Sequence, residues 1–444
     1  MSMGMHKYER SSTKQKKQNS NPNAPKRQGL LETIVSKVSK LIHGSDFKER
    51  SRMNPKDFTR NRTMSFEELM MFMLIQLKCS TQTGLRRFFA MIGKHVFMKQ
   101  QSFSEARKKV KVSAFIELFR LTSTEMLAKL HKTWHGYRVH GIDGTKIALP
   151  ADVTLREYFG ALGKDGSAPT AQGSILCDVL NDIVIDARIE PLSVDERTLA
   201  KEHIDQYKTM GIDSKSLFIF DRGYPSFELI EKLENDGFAY VMRVKSKFNN
   251  AIDAQSAADG YVWLEQNGKR LHIRVIKFML DSGEIETLIT NIKDKRLGVK
   301  AFKKLYFMRW PVEIKYDVLK NKLQVENFSS RTVDGIRQDF YAAMFLTNIA
   351  AASAQDAQAL IEQDREDKCN KYQYQANINE LIGVLKDRLV QALTKNYPRL
   401  QALLIDIIIQ EIRSNVVPKR LDRVVPRNPS PRKAKFHHNR KANC

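Results

Sequence analysis

Apolar positions divide the chain into a helical first third, a middle whose period falls to two, and a helical final third. Leu30 to Ile42 is an apolar patch at helical spacing within residues 1–62. The basic and polar sequence on either side of it has the composition of a disordered arm. From Ser65 the helical pattern sets in, with Ser65 and Glu68 forming a capping box ahead of the apolar run Leu69 to Leu77. Further helices fit Thr83 to Ile92, a short segment after a second box at Ser102 and Glu105, and Ser113 to about Leu130. The short segment carries Arg107, Lys108 and Lys109. Short helices with one strongly basic end suit a helix-turn-helix-like DNA-binding module, and an ordinary helical domain with a solvated basic face fits them equally.

After Trp134 the alternation of strands takes over. Tyr137 to Thr145 reads as a strand running into an Asp-Gly turn at Asp143, and a loop with a short helix at Leu155 to Phe159 follows. Ser174 to Leu180 and Ile183 to Ile189 flank Asn181-Asp182 as a hairpin. Asp195 to Met210 is helical, Ser216 to Asp221 is a buried strand closed by an aspartate, Pro225 to Asp236 is helical and Ala239 to Val244 is a strand. Residues 246–297 alternate as a β-rich insertion. Helical patterns return around Glu313, over Arg337 to Ala352, Asn377 to Thr394 and Leu400 to Arg413. From Val416 the sequence is a Pro-, Lys- and Arg-rich tail with a single acid, Asp422.

Composition narrows the partner. The 444 residues hold 74 Lys and Arg against 50 Asp and Glu, a net charge of +24, which favours a polyanion, nucleic acid before membrane. No apolar run approaches the roughly 20 residues of a membrane span. Cys79, Cys177, Cys369 and Cys444 are scattered, without zinc spacing, as suits a reducing, cytoplasmic compartment.

Candidate chemistry sits on one stripe. Tyr306, Arg309, Glu313 and Lys320 fall within roughly 60° of one another at about 100° per helical residue. Pro311 interrupts this stretch: either a new helix starts near Trp310, which itself reads as core, or a longer helix kinks there. The order of elements makes a mixed sheet, with Asp143 and Asp221 at the ends of neighbouring strands and Glu313 on a helix laid across them. Strand ends are where α/β sheets collect ligands. Three convergent carboxylates stay ionised at low cost only with a cation. Their hard oxygens ask for Mg²⁺ or Mn²⁺, and two such ions suit in-line displacement at a phosphodiester. Taken singly, each acid also has a bland reading as a turn residue, a helix cap or a solvated surface charge.

These residues resemble the DDE transposases of bacterial insertion sequences, specifically the family numbered four. Its signature Tyr-x2-Arg-x3-Glu-x6-Lys is met by Tyr306, Arg309, Glu313 and Lys320. Its aspartate contexts are met by Asp143-Gly144-Thr145 and Asp221-Arg222-Gly223-Tyr224. The resemblance implies an α/β fold: a ribonuclease H-like mixed-sheet catalytic core (134–245 and 298–352) with a β-strand insertion (246–297). To this it adds a helical DNA-end-binding domain (63–133), C-terminal helices (353–415), and basic segments at 1–62 and 416–444. It implies metal-dependent cut-and-paste transposition with Asp143, Asp221 and Glu313 as catalytic metal ligands for two Mg²⁺, Mn²⁺ substituting. The partners would be double-stranded DNA, as terminal inverted repeats and target, and a second copy of the chain in a homodimer. End nicking, a hairpin intermediate and strand transfer would follow. Tyr306, Arg309, Lys320 and Arg222 would hold DNA phosphates, together with Arg107, Lys108 and Lys109, and Trp263 would stack on a flipped base. A ribonuclease H-like nuclease without strand transfer and an inactive DNA-binding derivative are the competing readings.

Overall fold

The computed structural model describes residues 28–419, apart from residues 61, 76, 164–165, 213, 281, 367–371 and 396. The expectations of a disordered arm before residue 28 and a disordered tail after residue 419 lie outside the described residues.

The strands are β1 (Arg138–Ala148), β2 (Ala161–Leu162), β3 (Ala168–Asp178), β4 (Ile183–Glu190), β5 (Ser216–Phe220), β6 (Ala239–Val244), β7 (Asp259–Gln266), β8 (Lys269–Met279) and β9 (Ile285–Thr290). They form one mixed sheet in the order β2-β3-β1-β5-β6-β9-β8-β7, with β4 also paired to β3. β1, β5 and β6 run parallel at the centre, and the other pairs are antiparallel. The continuous apolar run of β5 fits that position, since all five of its residues are buried. The β3–β4 hairpin turns at Asn181-Asp182. Asp182 takes a left-handed φ of 59°, which a short polar side chain tolerates, and Asp178 accepts hydrogen bonds from the Asn181 backbone and side chain. The β-rich insertion does not stand apart, because β9 pairs with β6 and carries the core sheet outward through β8 to β7.

Around the sheet lie α1 (Leu30–Ile42), α2 (Ser45–Ser51), α3 (Phe66–Leu74), α4 (Thr81–Met91), α5 (Gln100–Arg107), α6 (Val112–Lys129), α7 (Val153–Phe159), α8 (Glu196–Thr209), α9 (Phe227–Asn235), α10 (Asn250–Ala254), α11 (Val299–Phe307), α12 (Trp310–Asp317), α13 (Val333–Gln363), α14 (Ile378–Thr394) and α15 (Pro398–Ser414). One contiguous apolar core runs through them from Leu30 to Ile412. The 31-residue α13 is its axis and is buried along most of its length. Asn348 on this helix ties three layers together: it accepts from Val184 N–H and donates to Val184 C=O on β4, and it also donates to Thr122 and Ser123 on α6.

Several local expectations change in this context. The Ser65/Glu68 capping box forms, with both reciprocal hydrogen bonds present. The second box does not: α5 begins at Gln100, and the Gln82 side chain on α4 accepts the Gln100 N–H from outside the helix. Residues 43–62, read as disordered, include α2 with Phe47 buried. Helix α1 is a core element, because Leu31, Ile34, Val35, Val38 and Ile42 are all fully buried. Gly29 offers it no side-chain cap, so Asp356 of α13 accepts the Leu30 and Leu31 N–H groups at 3.1 and 2.8 Å. At the other end, residues read as the start of the tail form β11 (Val416–Lys419), which pairs antiparallel with β10 (Gln373–Ala376).

Candidate active site

Strand register places the aspartates. The last parallel pair between β1 and β5 is Gly141 with Ile219, and Asp143 and Asp221 each lie two residues beyond it. Asp221 closes β5, as expected. Asp143 does not end its strand, because β1 continues to Ala148 while paired with β3. Of the two geometries left open at Pro311, a new helix is the one present. α11 ends at Phe307, the Arg309 N–H bonds Tyr306 C=O, and α12 starts at Trp310 with Pro311 in its first turn, where its missing N–H costs no hydrogen bond. A π-helical turn, Val318–Lys322, follows.

α12 lies against β1, and glycine permits it. A Cβ on Gly141 would stand 2.5 Å from Val312 Cγ2, so any other residue there would push the helix away. Farther along, the Tyr316 hydroxyl donates to Asp143 C=O at 2.6 Å and Lys320 Nζ to Lys146 C=O at 2.6 Å. These contacts fix the helix two residues from Asp143.

Four of the expected site residues meet directly. Tyr306 donates its hydroxyl to Asp221 Oδ1 at 3.0 Å, and the Arg222 N–H reaches the same oxygen at 2.8 Å. The Arg309 guanidinium lies 2.7 Å from Glu313 Oε1 and 3.9 Å from Asp221 Oδ2, so one cation bridges two of the acids. Burial raises the Asp221 carboxyl, but the Arg222 N–H, Arg309, the Tyr306 hydroxyl and Arg243 outweigh it and leave the group below its usual range. Asp143 joins through its field. Its carboxyl is raised to about 6 overall: burial pushes it up, Arg309 and the Gly144 N–H pull it down, and Glu313 and Glu196 add to the rise. Glu196, at the start of α8, was not expected here; its phrase Ser193-Val-Asp-Glu looks like a helix start.

The remaining expected residues lie elsewhere. Lys320 sits beyond the acids on β1, 3.6 Å from Glu326. The Arg222 side chain is exposed. Trp310 is not core but half exposed, beside Arg309. Trp263 is half exposed on the edge strand β7, stacked on His272 with the Arg270 guanidinium over its ring. It lies four strands from β5, about 19 Å across the sheet at about 4.8 Å per strand, without counting any offset along the strands. Arg107 is not a free DNA contact. It is 4% exposed, pairs with Asp339 at 3.0 Å, and also donates to Gln338, Ser329 and Gly335 C=O, locking α5 to α13. Lys108 is exposed, 2.7 Å from Glu105, and Lys109 lies 3.9 Å from Asp57.

A second polar chain lies one strand away. His203 bonds Asp186 at 2.8 Å and Ser174 Oγ at 3.0 Å, the residue types of a nucleophile relay. Ser174 and His203 are fully buried, so no substrate reaches them.

Among the described residues, no three His, Cys, Asp or Glu side chains are gathered closely enough to hold a metal ion. At the acids, Arg309 supplies the positive charge. The donor set nevertheless fits a hard divalent cation, since its ligands are carboxylate oxygens, and the buried Tyr224 hydroxyl beside them has no hydrogen-bond partner.

Residues 134–349 match the family described as transposase DDE domain. That span contains both aspartates, Glu313 and the sheet that carries them. The chain is also similar to the candidate transposase y4zB of Sinorhizobium fredii (strain NBRC 101917 / NGR234), 25% identical over 162 residues, covering 32% of this chain. The chain spans 45% of that relative's length. A solved structure, the piggyBac transposase synaptic complex with hairpin DNA, aligns over 88% of this chain and 87% of its own, with 10% identity and a TM-score of 0.47. No helix among the described residues is long and apolar enough to cross a membrane.

Proposed function

We propose that this protein is a DDE-type transposase of insertion-sequence family four, cutting and joining double-stranded DNA at Asp143, Asp221 and Glu313. One observation supports the reading: within the span that matches the transposase DDE domain, Asp143 and Asp221 lie level on adjacent parallel strands, and Arg309 contacts Asp221 and Glu313 and acts on Asp143 through its charge. Residues 134–245 and 298–352 would be the ribonuclease H-like core, 63–133 the end-binding helices, and a homodimer the form that holds two element ends.

Divalent ions bound by the acids, Mg²⁺ or Mn²⁺ and two in number, would lower the pKa of the attacking hydroxyl and stabilise the leaving oxygen. The protein's own groups do the rest. Arg309, held between Asp221 and Glu313, is placed to turn to a phosphate once cations neutralise those acids. Tyr306 orients Asp221 through its hydroxyl, and Tyr316 anchors the Asp143 backbone. Arg222, exposed next to Asp221, and Lys320, farther along β1, would position the DNA backbone on either side. Lys108 and Lys109 would add phosphate contacts from the N-terminal helices. Trp263 would stack on a DNA base on the outer face of the insertion, and a hairpin would link the first nick to second-strand cleavage.

The test is the joining of a pre-cut element end to plasmid, with Mg²⁺ and with EDTA. The transposase reading expects Mg²⁺-dependent cutting and joining. Cutting without joining would make the protein a nuclease, and DNA binding without either would make it an inactive derivative.

A further inference from the structure

Glu196 stands where neither a solvated nor a packing role accounts for it. The Asp195 carboxylate caps α8, accepting from Arg197 N–H at 2.8 Å and Thr198 N–H at 3.0 Å. Glu196 is the first residue inside the helix, where an acid usually faces water and the helix dipole. Here its carboxylate lies over the sheet. A Cβ on Gly144 would stand 2.6 Å from Glu196 Oε1, and one on Gly223 would stand 4.0 Å from Oε2. Gly144 directly follows Asp143, and Gly223 lies two residues after Asp221. Gly144, inside β1, therefore leaves the space that this carboxylate fills, and Gly223 lies at its edge. Gln172 on β3 donates to Oε1 at 3.4 Å, and among the described residues no lysine or arginine pairs with Glu196.

A second observation points into the same space. Tyr224 is 2% exposed, and its hydroxyl has no hydrogen-bond partner. The charged groups around that hydroxyl are Asp143, Glu196, Arg309 and Asp221, and the Tyr224 N–H bonds Asp221 C=O at 3.1 Å. A buried hydroxyl among carboxylates with no hydrogen-bond partner retains capacity for a ligand. Charge argues the same way. Arg309 lies against Asp221 and Glu313 and acts on Asp143, and Arg243, engaged mainly by Glu286, lies 3.8 Å from Asp221, so four carboxylates share these two cations. The excess negative charge suits two divalent ions better than one.

We propose that Glu196 is a fourth carboxylate of the metal site, facing the same divalent ions as Asp143, Asp221 and Glu313, directly or through a bound water. The inference rests on the metal-dependent reading given above. It is tested with the full chain by Mn²⁺ titration followed by electron paramagnetic resonance, and by thermal unfolding in EDTA and in Mn²⁺. The wild type should gain stability with Mn²⁺, and Asp143→Asn should lose that gain. Glu196→Gln should melt in EDTA at or above the wild-type temperature, because a repulsive charge is gone. Its weaker Mn²⁺ equivalent should bind at least about tenfold less tightly. Glu196→Asp, which keeps the charge but shortens its reach, should fall between. If Glu196→Gln does not fold, Glu196→Asp against wild type decides. Wild-type Mn²⁺ affinity in the folded Glu196 variants, with Asp143→Asn defective, overturns the inference alone. Absence of any Mn²⁺ effect on the wild type overturns the metal-dependent reading, and this inference with it.

Discussion

Two polar clusters sit one strand apart on the same sheet, and residue type alone would rank them wrongly. Ser174, His203 and Asp186 have the make-up of a nucleophile relay, yet they are sealed, and both ring nitrogens of His203 are bonded. Asp143, Asp221, Glu313 and Arg309 include like charges held close together, are partly open, and leave Arg309 Nε and Tyr224 Oη without partners. A saturated, buried cluster is a structural brace. An accessible cluster with unmet polar groups and too much of one charge retains capacity for a ligand. The two are joined by a weak contact, Ser174 Oγ to Asp143 C=O at 3.4 Å, so the brace also supports the strand that carries the first aspartate.

The largest expected effect separates the clusters by activity. Asp143→Asn, Asp221→Asn or Glu313→Gln should each reduce joining on the order of 10⁴-fold, and a double variant should lose little more, as groups acting as a unit do. DNA affinity measured by fluorescence anisotropy should hold or tighten. Substantial Mg²⁺-dependent cleavage by Glu313→Gln would remove α12 from the site.

Next comes the brace. Asp186→Asn should cost about 3 kcal/mol in urea unfolding, as breaking a buried ion pair does, while joining per folded molecule stays near wild type. Asp186 is therefore no neutral control for the acids. Burial raises its carboxyl, but the His203 hydrogen bond and the charges of His203 and Arg188 leave it below the usual range. Its stabilisation is thus present above the unfolded carboxyl pKa near 4 and is lost as the pH falls through the lower folded value. Equal losses of activity and stability in this variant would merge the two clusters into one.

His140 extends the comparison along β1. It is fully buried with both ring nitrogens unpartnered, and burial, then Arg138, push its pKa down to about 3. The unfolded chain binds this proton near pH 6.5 and the folded chain does not. Stability should therefore fall by up to about 1.4 kcal/mol per pH unit as the pH drops from about 6.5 toward 3. His140→Leu should remove about one proton from that slope. An unchanged slope would mean that His140 is already protonated in the fold.

The smallest effects belong to the exposed tryptophans. Trp263→Ala and Trp310→Ala should each change stability by no more than about 0.5 kcal/mol. A base stacked on either ring would add roughly 1–3 kcal/mol to DNA binding. Loss of hairpin formation in Trp263→Ala alone would place the flipped base on the insertion; loss in Trp310→Ala alone would place it beside Arg309, at the acids.

What the sequence determined by itself is local or periodic. Apolar spacing marked the helices and strands, the Ser65 capping box formed as its residues demand, and Asn181-Asp182 turned the hairpin. Asp143 and Asp221 were legible as a pair because residues equally far along adjacent parallel strands must come level. Helical spacing likewise kept Arg309 within reach of Glu313. What only the tertiary structure decided depends on partners far away in the chain. Arg107 looks like any basic helix end until Asp339 arrives 232 residues later, and α1 looks like an isolated patch until Asp356 caps it. Trp310 has a core residue's composition but faces outward, because α12 turns Val312 onto Gly141 instead. Glu196 has the spacing of a first-turn helix acid, and only the packing of α8 over the glycines beside both aspartates places its charge among theirs. Periodicity reports which face of an element is apolar. Which charges share a space is set by how the elements cross, and no window of neighbouring residues contains that.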